Sequence, residues 1–194
     1  RKSLMKGRFQ SAGIPVAAGR VVSTRQEARG LIKITGYPVV AKPDDGVGAQ
    51  DTFRLENDAD LDAFFSAKPE TDYIMEAFVR GSIVSFDGLA DANGKLVFFT
   101  AHRFSQGIME TVNQDHHIHY TSMRAIPPAL EKIGRQCVRA FNVRERFFHI
   151  EFFETGPAKY VALEVNMRPP GGFTTDMFNY ACDIDVYHLW AQVM

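Results

Sequence analysis

The sequence predicts an α+β fold built as two lobes, and three observations carry that reading. Helical and strand-like patterns alternate irregularly along the 194 residues, not as orderly βαβ units. Asp91-Ala92-Asn93-Gly94 is a strong hairpin signal between two strand patterns. After Gly81 the mixed strand-and-helix pattern gives way to mostly paired strands, which divides the chain into residues 1–78 and 79–194.

Composition sets the outer bounds. With 45% hydrophobic and 23% charged residues the chain can bury a core of one domain or two small lobes. A net charge of −1 gives no field that favours nucleic acid or an anionic membrane. No apolar run approaches the roughly 20 residues that cross a bilayer, and no secretory leader is visible. Cys137 and Cys182 match no paired zinc or redox spacing, so a reduced, cytoplasmic compartment is the default. Arg1 is no initiator and Met194 interrupts an apolar helical pattern, so the chain is expected to be part of a longer protein.

In the first lobe, residues 2–12 predict a helix ended by Gly13, followed by extended Ile14-Pro15-Val16. Thr24 and Glu27 form a capping box for a second helix that closes at Gly36. Pro38 to Lys42 predicts a buried strand entering the turn-rich loop Pro43-Asp44-Asp45-Gly46-Val47-Gly48-Ala49. A strand near residues 52–55 follows, then a helix capped by Asp58 that turns Leu61, Phe64 and Phe65 inward. Tyr73-Ile74-Met75-Glu76 is the next strand.

In the second lobe, residues 83–90 and 96–104 are the strands of the Asp91–Gly94 hairpin. Pro127-Pro128 opens a helix carrying Leu130, Ile133, Cys137, Val138 and Phe141. Two strands close the pattern, 147–153 and 160–166, joined through Gly156-Pro157. This lobe is an antiparallel sheet with at least one covering helix.

The chemistry concentrates in those last two strands. Side chains alternate faces along a strand. That predicts Tyr160, Ala162, Glu164 and Asn166 on one face of the second, and His149, Glu151 and Phe153 on one face of the first. Paired with the acids on one face, the hairpin presents Glu151, Glu164 and Asn166, hard oxygen donors of the kind Mg²⁺ takes beside substrate phosphates. The same residues would equally serve as a solvated outer face. Arg168, just past the strand, suits bidentate contact with phosphate or carboxylate.

Lys42 sits at the end of a buried strand, its ammonium aimed out of the sheet. The loop Gly46-Val47-Gly48-Ala49 after it can bring backbone N–H groups to a phosphate, or can be an ordinary turn. It lacks Gly-Lys-Ser/Thr and opens no helix, so it is neither a Walker A nor a Rossmann loop. The segment Tyr73 to Gly81 leads out of one lobe and could seat a flat ring against Ile74, Met75 and Phe78 with backbone hydrogen bonds, though by itself it reads as a core strand and loop. Thr174 or Thr175 is expected to cap a helix whose N-terminus would suit an anion, though Arg168 to Asp176 also fits a rigid connection. His117 and His119 would share a strand face beside His116, as zinc would need, but they read as a polar surface loop and no metal is assigned there.

The order of these elements resembles the ATP-grasp superfamily, of the biotin carboxylase and carbamoyl-phosphate synthase type. A strand lysine, small-residue loop, helix, strand ending in Glu and a closing Glu plus Glu-x-Asn-x-Arg recur over essentially all of the chain. Lys2 and Met5 before Gly13-Ile14-Pro15-Val16 match the start of that family's nucleotide domain. The resemblance implies an ATP-grasp fold whose two α+β lobes hold ATP between them, with ATP and Mg²⁺ as cofactors. Lys2 and Lys42 would contact phosphates, Gly46 to Ala49 would form the phosphate loop, and Glu76 to Val79 the adenine strand. Glu151, Glu164 and Asn166 would bind magnesium, and Arg168 with Lys42 would be catalytic. The implied activity is a ligase that makes an acyl phosphate from a small-molecule carboxylate and passes it to an amine or thiol. The alternative is a regulatory ATP-binding module of the same fold. The family usually adds a preceding α/β domain, and it allows a homo-oligomer. Two departures stand out: Ile83 replaces the acid that often holds ribose, and Asp44-Asp45 place acids at the phosphate-loop entrance.

Overall fold

The computed structural model describes residues 1–46, 50–105 and 119–194. Two antiparallel sheets form the frame. The four-stranded sheet contains β1 (Gly19–Val22), β2 (Val39–Pro43), β3 (Phe53–Leu55) and β4 (Tyr73–Ala77), in the order β1-β4-β2-β3. The five-stranded sheet contains β5 (Ser82–Ala90), β6 (Leu96–Phe104), β7 (Tyr120–Ser122), β8 (Arg146–Gly156) and β9 (Lys159–Asn166), in the order β7-β6-β5-β8-β9.

Helix α2 (Arg25–Thr35) starts at the predicted capping box: Thr24 accepts from the Glu27 N–H while Glu27 accepts from the Thr24 N–H. Helix α3 (Asp58–Ala67) starts one residue earlier than expected. Asn57, not Asp58, accepts from the Asp60 N–H, because the amide oxygen reaches the first free donors while Asp58 already has helical geometry. These helices cover the four-stranded sheet through Ala28, Leu31, Leu61 and Phe64 against Val39, Ala41, Tyr73 and Met75.

Helix α1 (Lys2–Ser11) packs with the other sheet. Its Phe9 meets Phe141 edge to face at 5.0 Å, and Phe9 and Ile14 join the core under the five strands. Helix α4 (Pro128–Ala140) buries Leu130, Cys137 and Val138 against the same face, made by Val84, Phe86, Phe148, Ile150 and Phe152. A third, smaller core joins Leu89, Phe98 and Phe147 to Phe178 of α5 (Thr174–Cys182) and Val186 of α6 (Val186–Val193).

The β8–β9 hairpin departs from simple alternation. Glu151 pairs with Glu164, but Phe152 pairs with Ala162, so Leu163 is an extra residue in a β-bulge. Tyr160 and Ala162 therefore pack into the core with Phe152, while Glu164 and Asn166 lie on the opposite face. The predicted single face holding all four is corrected by that one inserted residue. Without the bulge, a face shared with Tyr160 and Ala162 would have placed Glu164 and Asn166 against the core.

Helix α5 also starts differently. Phe173 is its N-cap and no side chain caps it; Thr174 Oγ1 donates instead to the Gly171 carbonyl at 2.6 Å. Among the described residues no helix is long and apolar enough to cross a membrane.

Candidate functional site

The face of the five-stranded sheet away from α1 and α4 is divided. At one end Leu89, Phe98 and Phe147 lie under α5 and α6. The rest is polar: Ser85 and Asp87 from β5, His102 from β6, His149 and Glu151 from β8, Glu164 and Asn166 from β9. These residues line one cleft of about 240 Å³, which Tyr120, Arg168 and Thr174 help to close.

Glu151 and Glu164 are direct cross-strand partners, and Asn166 is opposite His149. Burial first, and then the Glu151 charge, push the Glu164 carboxyl up from its usual range, while Lys2, Lys42 and His149 pull it down. Directly opposed carboxylates of this kind repel each other. A divalent cation relieves that repulsion. Two carboxylates and an amide suit Mg²⁺ completed by phosphate oxygens. Among the described residues no group of three or more His, Cys, Asp or Glu side chains is arranged to hold a metal ion. Arg168 is exposed at the cleft and donates one N–H to the Pro169 carbonyl at 2.8 Å.

The lysines come from two elements, Lys2 from α1 and Lys42 from β2 of the other sheet. Lys2 Nζ donates to the carbonyls of Pro43 and Gly46, at 2.9 and 3.1 Å. Its pKa is lowered by burial and by the like charge of Lys42, and raised back by Glu164. Lys42, at the end of β2, lies 2.5 Å from Glu76 Oε2, and Lys6 lies 2.5 Å from Glu76 Oε1. Burial raises the Glu76 pKa, but Lys42 and Lys6 outweigh it and hold the carboxyl below its ordinary value. Lys6 also donates to the Ala17 carbonyl. The sequence reading missed Lys6, although its i+4 spacing from Lys2 puts both on one helical face.

The structure thus brings Lys2, Lys42, Glu151, Glu164, Asn166 and Arg168 to one region. The segment Glu76 to Val79 is less open than expected. The Ala77 and Phe78 N–H groups are taken by the carbonyls of Ala18 and Pro38, and Arg54 stacks over the Phe78 ring at 4.2 Å. Ile83 pairs with Phe153 and is 5% exposed, an apolar ledge where an acid was absent.

Of the predicted phosphate loop, Gly46 is described, with φ +127, and Val47, Gly48 and Ala49 lie outside the described residues. Asp44 does not face that loop: its carboxylate accepts from the Ser3 N–H and Ser3 hydroxyl, tying down the first turn of α1. His116 and His117 also lie outside the described residues. His119 is exposed, and its backbone N–H donates to Ser105 Oγ.

The network around Asp87 was not anticipated. Asp87 is fully buried and accepts from Ser85 Oγ at 2.5 Å, His102 Nδ1 at 2.7 Å and His149 Nδ1 at 2.5 Å. Burial opposes its charge, but those two imidazoles hold its carboxyl below the usual range. His149 reaches on to Glu151 Oε1, 3.3 Å from Nε2. Burial lowers the His149 pKa, yet Asp87 and Glu151 together lift it to about 10. A signal was present: polar Ser85 and Asp87 alternate with Val84 and Phe86 in a strand, and a buried acid needs partners.

The ATP-grasp domain family profile matches residues 35–176. The carbamoyl phosphate synthase large chain of Agathobacter rectalis is 25% identical over 174 residues, covering 82% of this chain and 15% of that protein. Biotin carboxylase of Campylobacter jejuni, in its β-γ-ATP complex, superposes with a TM-score of 0.73 at 19% identity. That match covers 99% of this chain and 45% of the other. D-alanine–D-alanine ligase of Bacillus anthracis, complexed with ATP, gives 0.74 at 13% identity, over 99% of this chain and 64% of that one. The chain spans less than two thirds of each of these relatives.

Proposed function

We propose, for a chain that belongs to the ATP-grasp family, that it is the nucleotide-binding core of an ADP-forming ligase acting on a carboxylate and an amine or thiol. The observation that carries this reading is the direct pairing of Glu151 with Glu164 in the cleft that Asn166 and Arg168 also line, with the Lys2 and Lys42 charges near enough to act on Glu164. Cations near a carboxylate pair suit a triphosphate held with a metal better than any single-sign ligand.

In this reading ATP lies between the sheets, its base near Glu76 to Val79 and its phosphates toward Lys2 and Lys42. Glu151, Glu164 and Asn166 would hold magnesium, which when bound neutralises phosphate charge. A carboxylate oxygen of the substrate attacks the γ-phosphorus and ADP leaves. The amine or thiol then attacks the acyl carbon, phosphate leaves with the bond electrons, and the nucleophile's proton passes to solvent. Lys42 and Arg168 stabilise the transferred phosphoryl group, Arg168 by a bidentate grip. Catalysis is positioning and charge stabilisation, with no covalent enzyme intermediate.

The test is ADP and phosphate release by the full-length protein with MgATP and a panel of carboxylates, each with and without amines or thiols. Release that requires both a carboxylate and an amine or thiol is expected. Tight ATP binding with no release under any pairing would instead favour a regulatory nucleotide-binding module.

A further inference from the structure

We infer that Asp87 and His149 are positioning residues that fix Glu151 as a metal ligand; this rests on the reading that Glu151, Glu164 and Asn166 hold magnesium. Asp87 lies in the central strand β5, beside both β6 and β8. One of its oxygens accepts from Ser85 and His102, the other from His149. A carboxylate held at both oxygens by three donors from three strands has one orientation. It therefore fixes the His149 ring through Nδ1.

The fixed ring turns Nε2 toward Glu151 Oε1, at 3.3 Å. That contact occupies one oxygen of Glu151 and leaves Oε2 for a cation shared with Glu164, its cross-strand partner. Glu151 is 4% exposed, so a free carboxylate there would be costly and would relax toward any donor available. Partners that orient a ligating carboxylate typically tune metal affinity by 10–100-fold when removed. Simple neutralisation of buried acids would stabilise the fold without a selective effect on metal.

The experiment counts bound Mn²⁺ by electron paramagnetic resonance, with a saturating non-hydrolysable ATP analogue, in wild type, His149→Gln and Asp87→Asn. Adenosine affinity is measured in parallel. The expected result is Mn²⁺ affinity weakened about 10–100-fold in each folded variant, with adenosine affinity within about twofold. Unchanged Mn²⁺ affinity in a folded variant overturns the inference. Glu164→Gln separates the two levels: if it too leaves Mn²⁺ affinity unchanged, the metal reading fails and takes this inference with it. A measurement on wild type guards against variants that do not fold. With the analogue bound, added Mg²⁺ should shift the His149 Nε2 nitrogen resonance as the site fills; no response at saturating Mg²⁺ overturns the inference.

Discussion

Glu76 Oε2 lies 2.5 Å from Lys42 Nζ, so the ammonium at the end of β2 is held by a carboxylate from the neighbouring strand β4. The second oxygen of Glu76 holds Lys6 of α1. One buried acid thus sets the position of Lys42 and ties α1, which packs on the five-stranded sheet, to the four-stranded sheet. Two ammoniums on one carboxylate leave a net positive charge at this point.

This arrangement predicts an acid-sensitive fold. The folded pKa of Glu76 is depressed, so its contribution is present above the unfolded value near 4.5 and is lost as pH falls through the folded value. Urea unfolding of wild type and Glu76→Gln from pH 7 down to pH 3 checks it. The stability difference between them should shrink as pH falls below about 4.5. Parallel curves across that range would remove Glu76 from the acid response.

Lys42→Ala should weaken ATP binding by roughly 1–3 kcal/mol if the ammonium meets phosphate as a charge-assisted donor. Adenosine binding should hardly change, because Lys6 still neutralises Glu76. Calorimetric titration with both ligands decides it. Equal losses for the two would make Lys42 a structural residue of the Glu76 pair.

The sequence showed much of this fold, and the misses have physical causes. Alternation along β8 put His149 and Glu151 on one face, and both sit there. Along β9 it failed at Leu163, because a bulge is a register defect that no period-two pattern contains. The Lys6–Glu76 pair was invisible because it joins residues 70 positions apart through the docking of α1. Thr174 looked like a cap, yet its hydroxyl lies 2.6 Å from Tyr120 Oη and donates to the Gly171 carbonyl. Such competition between local and tertiary partners appears only once the chain is folded.

Gly134 of α4 predicts a packing limit. A Cβ there would fall 2.3 Å from Phe86 Cδ1, and Phe86 is fully buried and stacked on Phe148 at 5.7 Å. Gly134→Ala gains helix propensity but must move that ring, so it should destabilise by about 1–3 kcal/mol. Thermal unfolding should show a midpoint lower by roughly 2–4 °C per kcal/mol. A midpoint at or above wild type would mean that α4 shifts freely against the sheet.

The central claim is that the Glu151–Glu164 pair receives the metal that accompanies ATP. The most direct measurement is the affinity for ATP by calorimetry, with excess Mg²⁺ and with chelator, in wild type and Glu164→Gln. This substitution keeps the side chain's shape and removes one ligand charge. Wild type should bind ATP more tightly with Mg²⁺, and the variant should lose most of that enhancement while its metal-free ATP affinity and unfolding midpoint stay close to wild type. An enhancement by Mg²⁺ that survives undiminished in Glu164→Gln would contradict the assignment.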